Sequence, residues 1–469
     1  MLTQNLFKNL SWSFFGRLIY VLINLLSSIV LARILGPESI GVVAVIMFFN
    51  GICNVLIDSG LSGALIRKHD VAEKDYSTIF IFNLTITMLL AALIILFSQK
   101  IEDFYKINEL SNFLIVSMVI LFLNAFRLTQ NIKLIKSMNF KVKSLIELGS
   151  ILLSTTVAII LAMKDYGIWS VIYSQIAGAL FLTLLSWLYV GPIKSFRFDL
   201  NSFKGMYKFG INTTIASILD VTFNNIYQII LAKFFSINRA GLFYQAQKLQ
   251  DANNGLMQSS ILMVIYSYLT KYSANKLDFY KKFNEIQRKY LSIIALISLF
   301  VFYYSELIIV QLYGQQWLSS AYYLKILMIV SFFYLGENYN RIVFKVYNRT
   351  ELILKLEILK KILQSISISI GLYFWSIDLL LWSYVLVVFL SYMLNLRSAI
   401  EIIGVDFGLE NVGLFILFFS IFISVVSFYL MNFFIINEDF HMFFGVFSLI
   451  LFILLLIIFG FLRLSNSNN

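Results

Sequence analysis

Apolar stretches fill almost the whole chain, separated by short polar connections. Fourteen windows stand out, near 11–31, 40–66, 77–99, 111–132, 144–163, 167–190, 209–232, 240–270, 288–312, 320–346, 352–375, 378–400, 411–433 and 440–462. Each holds the roughly 20 apolar residues that a membrane-crossing helix needs. The few polar residues inside them fall at helical spacing. Ser13, Arg17, Tyr20, Asn24 and Ser28 lie four, three, four and four apart, which puts all five on one helix face. Thr213, Ser217, Asp220, Asn224 and Gln228 repeat that spacing 200 residues later. Asn50, Asn54 and Asp58 make a second stripe, answered at the same offset by Gln250, Asn254 and Gln258. The pattern predicts an all-α polytopic membrane protein of about 14 transmembrane helices.

The connection beside the first stripe repeats too. Leu31-Ala32-Arg33, with Gly41 eight residues after the Arg, recurs as Leu231-Ala232-Lys233 with Gly241. Further on, Gly167-Ile168-Trp169-Ser170 answers Leu380-Leu381-Trp382-Ser383. Two six-helix lobes are expected, over residues 1–200 and 201–405, with two extra helices over 406–469. Six is an even number of spans, so the lobes share one orientation about an axis along the membrane normal.

Composition agrees: 60% of residues are hydrophobic, 13% are charged, and the mean hydropathy is +0.84. A soluble domain averages roughly 45–50% apolar and about 25% charged. The net charge is +11, and its placement decides its meaning. With a cytoplasmic N-terminus, inside segments hold 23 Lys and Arg and outside segments six. By the positive-inside rule both termini are cytoplasmic. The basic residues then meet anionic lipid headgroups, and nucleic acid is excluded as a partner. The run 11–31 is too long for a signal-peptide core and is expected to remain as a span. One Cys and two His argue against a disulfide framework or a metal centre, and no cofactor is expected.

Stripes on the first two helices of both halves point to a central hydrated cavity. An ionised group at the middle of a span costs roughly 2.5–3.5 kcal/mol on insertion scales, so such groups usually face water or a partner. Arg17 either joins its stripe in the cavity or snorkels to the near surface. Lys248 and Asp251 either pair with each other or bind. Asp220 lies mid-span without a basic neighbour at helical spacing, the setting of a protonatable or cation-binding carboxylate. Asp58 is nearer the inner end. Arg127 shares a face with Asn124 and Asn131, and Glu337 and Arg341 are an i,i+4 pair. Cations in both lobes would suit an anionic headgroup; the alternative is that they bridge helices.

Several segments carry a family resemblance. Leu31-Ala32-Arg33-Ile34-Leu35-Gly36-Pro37 with Gly41 resembles the first-turn signature of the polysaccharide-export branch of the multidrug/oligosaccharidyl-lipid/polysaccharide exporter superfamily. Asp58-Ser59-Gly60-Leu61 running into Ala64-Leu65-Ile66-Arg67 is similar to its Wzx-type, WzxC-like subgroup, as are Met138-Asn139-Phe140-Lys141 and Gly167-Ile168-Trp169-Ser170. The likeness is clear over the first 190 residues. Gly36-Pro37 itself reads as architecture, a helix stop followed by a helix start, and Gly41 as an allowance for close helix approach.

The resemblance implies a MATE-like fold and a flippase of the bacterial plasma membrane. Its cargo would be an undecaprenyl-diphosphate-linked oligosaccharide, moved from the inner to the outer leaflet by alternating access, with a polysaccharide polymerase as a partner. Arg17 and Lys248 would attract the diphosphate, with Arg127 and Arg341 behind them. Tyr20, Asn24, Asn50, Asn54, Asn224, Gln228 and Asn254 would line the cavity. Asp220 or Asp58 would couple turnover to an H+ or Na+ gradient. Rival readings are a drug/cation antiporter or a peptidoglycan-precursor flippase of the same superfamily and, more remotely, a membrane glycan polymerase or ligase. No acid/base constellation stands out for an enzyme.

Overall fold

The computed structural model describes residues 2–404. The expected spans near 411–433 and 440–462 lie outside them. The described residues are helical nearly throughout, and the first twelve expected spans all fall on helices. They are α1 (Leu2–Asp58), α2 (Leu61–Arg67), α3 (Glu73–Tyr105), α4 (Leu110–Lys136), α5 (Phe140–Ala162), α6 (Ile168–Val190), α7 (Leu200–Ile230), α8 (Ile237–Leu256), α9 (Met263–Thr270), α10 (Lys276–Tyr303), α11 (Ser305–Tyr313), α12 (Ser320–Val346), α13 (Glu351–Tyr373) and α14 (Ile377–Ile403). Among the described residues, eight continuous helical segments are long and apolar enough to cross a membrane. The protein is an all-α, multi-pass membrane protein.

Local chemistry sets the ends. α1 is two arms joined at Gly36, whose φ of 75° and ψ of 171° are not helical, and Pro37 opens the second arm. Glycine takes that φ without a steric cost, and proline suits a first helical position. Asp199 caps α7 by accepting from the Ser202 amide at 2.7 Å, and Ser376 caps α14 through the Leu379 amide. Each cap satisfies a backbone donor that the helix cannot.

Some spans expected to be continuous are broken. The run 40–66 stops at Ser59 and Gly60, both with left-handed φ, and resumes as α2. The run 240–270 carries a π-helical turn at Met257–Leu262 between α8 and α9. Run 288–312 is split at Tyr304 between α10 and α11.

The chain forms two compact units, Met1–Gln245 and Ala246–Asn469. In the first, α4, α5 and α6 pack with α1, and α7 lies along α1. In the second, α12 is the buried centre, flanked by α10 and α14; Tyr339, Phe344 and Tyr392 are fully enclosed there.

Candidate functional site

The repeated turns meet inside the first unit. A β-carbon on Gly41 would stand 2.1 Å from the Ile237 carbonyl oxygen, and one on Gly241 would stand 1.9 Å from that of Pro37. The two motifs therefore cross backbone against backbone, with Ala32 and Ala232 buried nearby. Gln245 Nε2 donates to Ser28 Oγ at 2.9 Å in the same region. Lys233 lies over the Phe104 ring, 3.9 Å from its centroid, and donates to its carbonyl. The Leu-Ala-Arg/Lys turn is thus a joint.

A second crossing lies at the other end of the α1 second arm. A β-carbon on Gly60 would be 1.8 Å from Thr213 Oγ1, and one on Gly210 would be 2.7 Å from the Ser59 carbonyl oxygen. Between these points Gly51 faces Val221. The missing side chains let the α1 second arm approach the α8 backbone at Gly41 and the α7 backbone at Gly60 and Gly210, while at Gly51 the space is met by the Val221 side chain.

Just above the Gly60–Gly210 crossing this fit opens into a cavity of about 380 Å³. Asn54, Asp58, Phe209, Thr213, Thr214 and Ser217 line it. Asp58 accepts from Ser62 Oγ. Thr213 and Thr214 donate back to their own helix, at 2.8 and 2.9 Å to the Gly210 carbonyl. The Arg67 guanidinium sits 5.4 Å from the centre of the Phe209 ring. Sequence reasoning found Asp58 through its stripe but missed Phe209 and Thr214, which lie off that face.

The striped residues fall into two groups. Arg17, Asn24, Asp220 and Asn224 are exposed on α1 and α7. The Arg17 guanidinium lies 5.6 Å from the centre of the half-buried Tyr20 ring. Five of the others are held within their own unit. Asn50 accepts from Ser117 Oγ at 3.1 Å, Asn54 accepts from Asn124 at 3.2 Å, and Gln228 donates to Asn225 at 2.8 Å. Asn254 accepts from Ser331 Oγ, and Gln250 donates to the Leu327 carbonyl. So α1's first arm and α7 present four polar residues outward while Ser28 and Gln228 at their ends are buried, and the polar residues of α1's second arm and α8 largely fasten helices.

The charged residues divide similarly. Lys248 is half-buried within electrostatic reach of Asp251. Arg127 has a buried Nε with no hydrogen-bond partner, and it feels Glu147 and Tyr20. Arg341 belongs to a chain of ion pairs between α12 and α13. It meets Glu337 and Glu357, while Lys360 reaches Glu337 at 2.8 Å and Lys361 reaches Glu357 at 3.2 Å. Glu337 is fully buried. Three cations against two carboxylates leave this network one positive charge in excess. Its Glu337–Arg341 and Glu357–Lys361 steps are i,i+4 spacings, and sequence reasoning found only the first of them. Among the described residues, no group of His, Cys, Asp and Glu could hold a metal ion.

Residues 30–322, well over half of the chain, match a family described as "Polysaccharide biosynthesis protein". This chain belongs to that family. Its relatives include the succinoglycan biosynthesis transport protein ExoT of Rhizobium meliloti, 24% identical over 55% of this chain and 52% of that protein. The teichuronic acid biosynthesis protein TuaB of Bacillus subtilis is 26% identical over 64% of this chain and 62% of its own length. The chain thus spans only about half to two-thirds of the lengths of these relatives. Among solved structures, the lipid II flippase MurJ superposes with a TM-score of 0.74 over 94% of this chain and 97% of its own, at 16% identity. An inward-facing multidrug MATE transporter gives 0.63 over 82% and 94%, at 15% identity. At these identities the likeness establishes the fold, which these transporters share with a member of the polysaccharide family.

Proposed function

We propose that this protein is a flippase that carries an undecaprenyl-diphosphate-linked oligosaccharide from the inner to the outer leaflet of the bacterial plasma membrane. The observation that carries the reading is the outward presentation of Arg17, Asn24, Asp220 and Asn224 on otherwise apolar helices. Polar groups so placed are costly against lipid and are retained where a hydrated path needs them. Family membership and the fold of transporters support the same reading.

In the mechanism we propose, two related halves rock about a hydrated path in alternating access. Arg17 and Lys248 draw in the diphosphate as charge-assisted donors, and the lipid tail stays in the bilayer. Asp220 binds or releases H+ or Na+ as the path alternates. Both termini face the cytoplasm, and the product is delivered to a polysaccharide polymerase outside. The Glu337–Arg341–Glu357 network holds α12 to α13 during the movement.

The test is complementation. In a strain lacking its own exporter, the wild-type chain should restore surface glycan and clear lipid-linked oligosaccharide from the inner leaflet. A charge-assisted contact is worth about 1.5–3 kcal/mol, so Arg17→Ala or Lys248→Ala should slow export about tenfold or more. Full export by both variants would overturn the cationic site. Efflux of lipophilic cationic dyes by the wild type, without glycan export, would favour the drug/cation antiporter that the MATE-like fold also allows.

A further inference from the structure

We propose that the cavity between the second arm of α1 and α7 is a glycan subsite, receiving one or two sugar units of the transported molecule. The inference rests on the flippase reading and deepens it by assigning the sugar portion its own place, apart from the cations.

The volume of about 380 Å³ falls at the low end of the roughly 300–1,000 Å³ typical of small-molecule pockets. The lining is unusual for its donor–acceptor balance. Thr213 and Thr214 have spent their hydroxyl protons on the Gly210 carbonyl, so their oxygens offer the cavity only lone pairs. The Asp58 carboxyl adds acceptor oxygens, one of them already taken by Ser62 Oγ. The amide of Asn54 is held by Asn50 and Asn124, and Ser217 adds a hydroxyl. Beside these acceptors, one turn before Thr213 on the same helix, the cavity is lined by the apolar ring of Phe209, with the Arg67 guanidinium 5.4 Å from its centre.

The complementary ligand has several donors around an apolar face. A sugar ring fits: its hydroxyls point outward along the edge, and its C–H groups form a face that lies against an aromatic ring. A diphosphate does not, because it brings only acceptors and negative charge. A hydrocarbon tail would leave the carboxylate and hydroxyl oxygens unpaired, at a cost that buried polar groups avoid.

The sequence repeat supplies an independent contrast. At the offset of 200 residues, Asp58 and Ser217 correspond to Gln258 and Arg17. The cavity's carboxylate and hydroxyl are therefore not repeated at the equivalent positions, one of which carries an amide and the other a cation.

Saturation-transfer difference NMR on the full chain tests this, in nanodiscs free of glycosidic detergent. The probes are methyl glucoside, methyl N-acetylglucosaminide, methyl galactoside, methyl glucuronide and, as a comparator, tetraphenylphosphonium. Transfer to the ring protons of at least one glycoside is expected. It should fall at least fivefold in Thr214→Val, a near-isosteric change that removes one acceptor, and in Phe209→Ala. Gly205→Ala, where an added β-carbon meets nothing within 4 Å, should leave it unchanged. Elution profile and tryptophan fluorescence confirm that each variant is folded, and the mild Thr214→Val change keeps the test decisive if Phe209→Ala unfolds. No transfer to any glycoside, transfer indifferent to Thr214→Val, or dependence on this cavity for tetraphenylphosphonium alone would overturn the proposal. If wild type exports glycan but the cavity variants bind and export normally, the subsite fails and the flippase reading stands. If the cavity binds sugars but wild type restores no export, the subsite stands and the flippase reading fails.

Discussion

Gly241→Ala probes the crossing of the two repeated turns. The added methyl would lie 1.9 Å from the Pro37 carbonyl oxygen and 2.8 Å from the Gly41 nitrogen. Ordinary contact begins at 3.4 Å, so the backbones must part by about 1.5 Å, the difference between 3.4 and 1.9. No side chain can swing away, because both obstacles are main-chain atoms. Overpacking a tight site costs typically 1–3 kcal/mol, and a main-chain obstacle puts this substitution near the upper end, about 3 kcal/mol. The control is Gly205→Ala in α7, where a β-carbon meets nothing within 4 Å. There alanine should be neutral or stabilising by up to about 1 kcal/mol through helix propensity. The assay is unfolding by added SDS, followed by tryptophan fluorescence in mild detergent. Gly41→Ala would place its methyl against the Ile237 carbonyl in the same crossing. Once one methyl has separated the helices, the second costs less. The double variant should therefore be more stable than the sum of the singles predicts, by about 0.5–3 kcal/mol. Gly241→Ala as stable as Gly205→Ala, or strict additivity with Gly41→Ala, would refute the crossing.

Two further outcomes follow from charged groups. Glu337→Gln would leave Arg341 and Lys360 without their shared carboxylate in a buried place. Breaking one partner of a buried pair costs about 3–5 kcal/mol, whereas removing both ends costs much less. Adding Lys360→Gln should thus recover part of the loss in the same assay; a single-variant cost under about 1 kcal/mol would count against a buried network. Asp199 is held below the usual carboxylate range by the Ser202 amide and hydroxyl, aided by Lys74. A carboxyl lowered in the folded state stabilises above its unfolded pKa, and that contribution fades as pH falls through the folded value. The Ser202 amide should lose hydrogen-exchange protection at acid pH in the wild type. In Asp199→Asn the protection should be independent of pH over that window.

Helix-scale features were legible in the sequence for physical reasons. A span is a local property of about 20 residues, and a Gly-Pro step fixes a break whatever surrounds it. The break at Ser59–Gly60 was also written locally, in the turn-forming run Asp58-Ser59-Gly60, but unbroken hydropathy across 40–66 outweighed it. Lys360 was absorbed into the apolar run 352–375 because its carboxylate partner Glu337 lies on another helix, while the i,i+4 pair Glu357–Lys361 was written locally but outweighed by the same run. Glu337–Arg341 could be seen because both lie on α12. The cavity was half visible for a similar reason. Asp58 belongs to a periodic stripe, while Phe209 and Thr214 gain their meaning only from the register between α1 and α7.

That register shows how one repeat can carry different side chains on matching helices. Gly41 and Gly241 are kept alike in both halves because each meets the backbone around the other, and neither has room for a side chain. The constraint acts at the turn and relaxes along the helices leading away from it. There Arg17 can stand where the second half has Ser217, and Asp58 where it has Gln258. A joint that fixes geometry at one end leaves charge free to differ a few turns away. A carrier whose cargo is anionic at one part and hydroxyl-rich at another needs such a difference. A symmetric pair of binding surfaces could match only one of those parts.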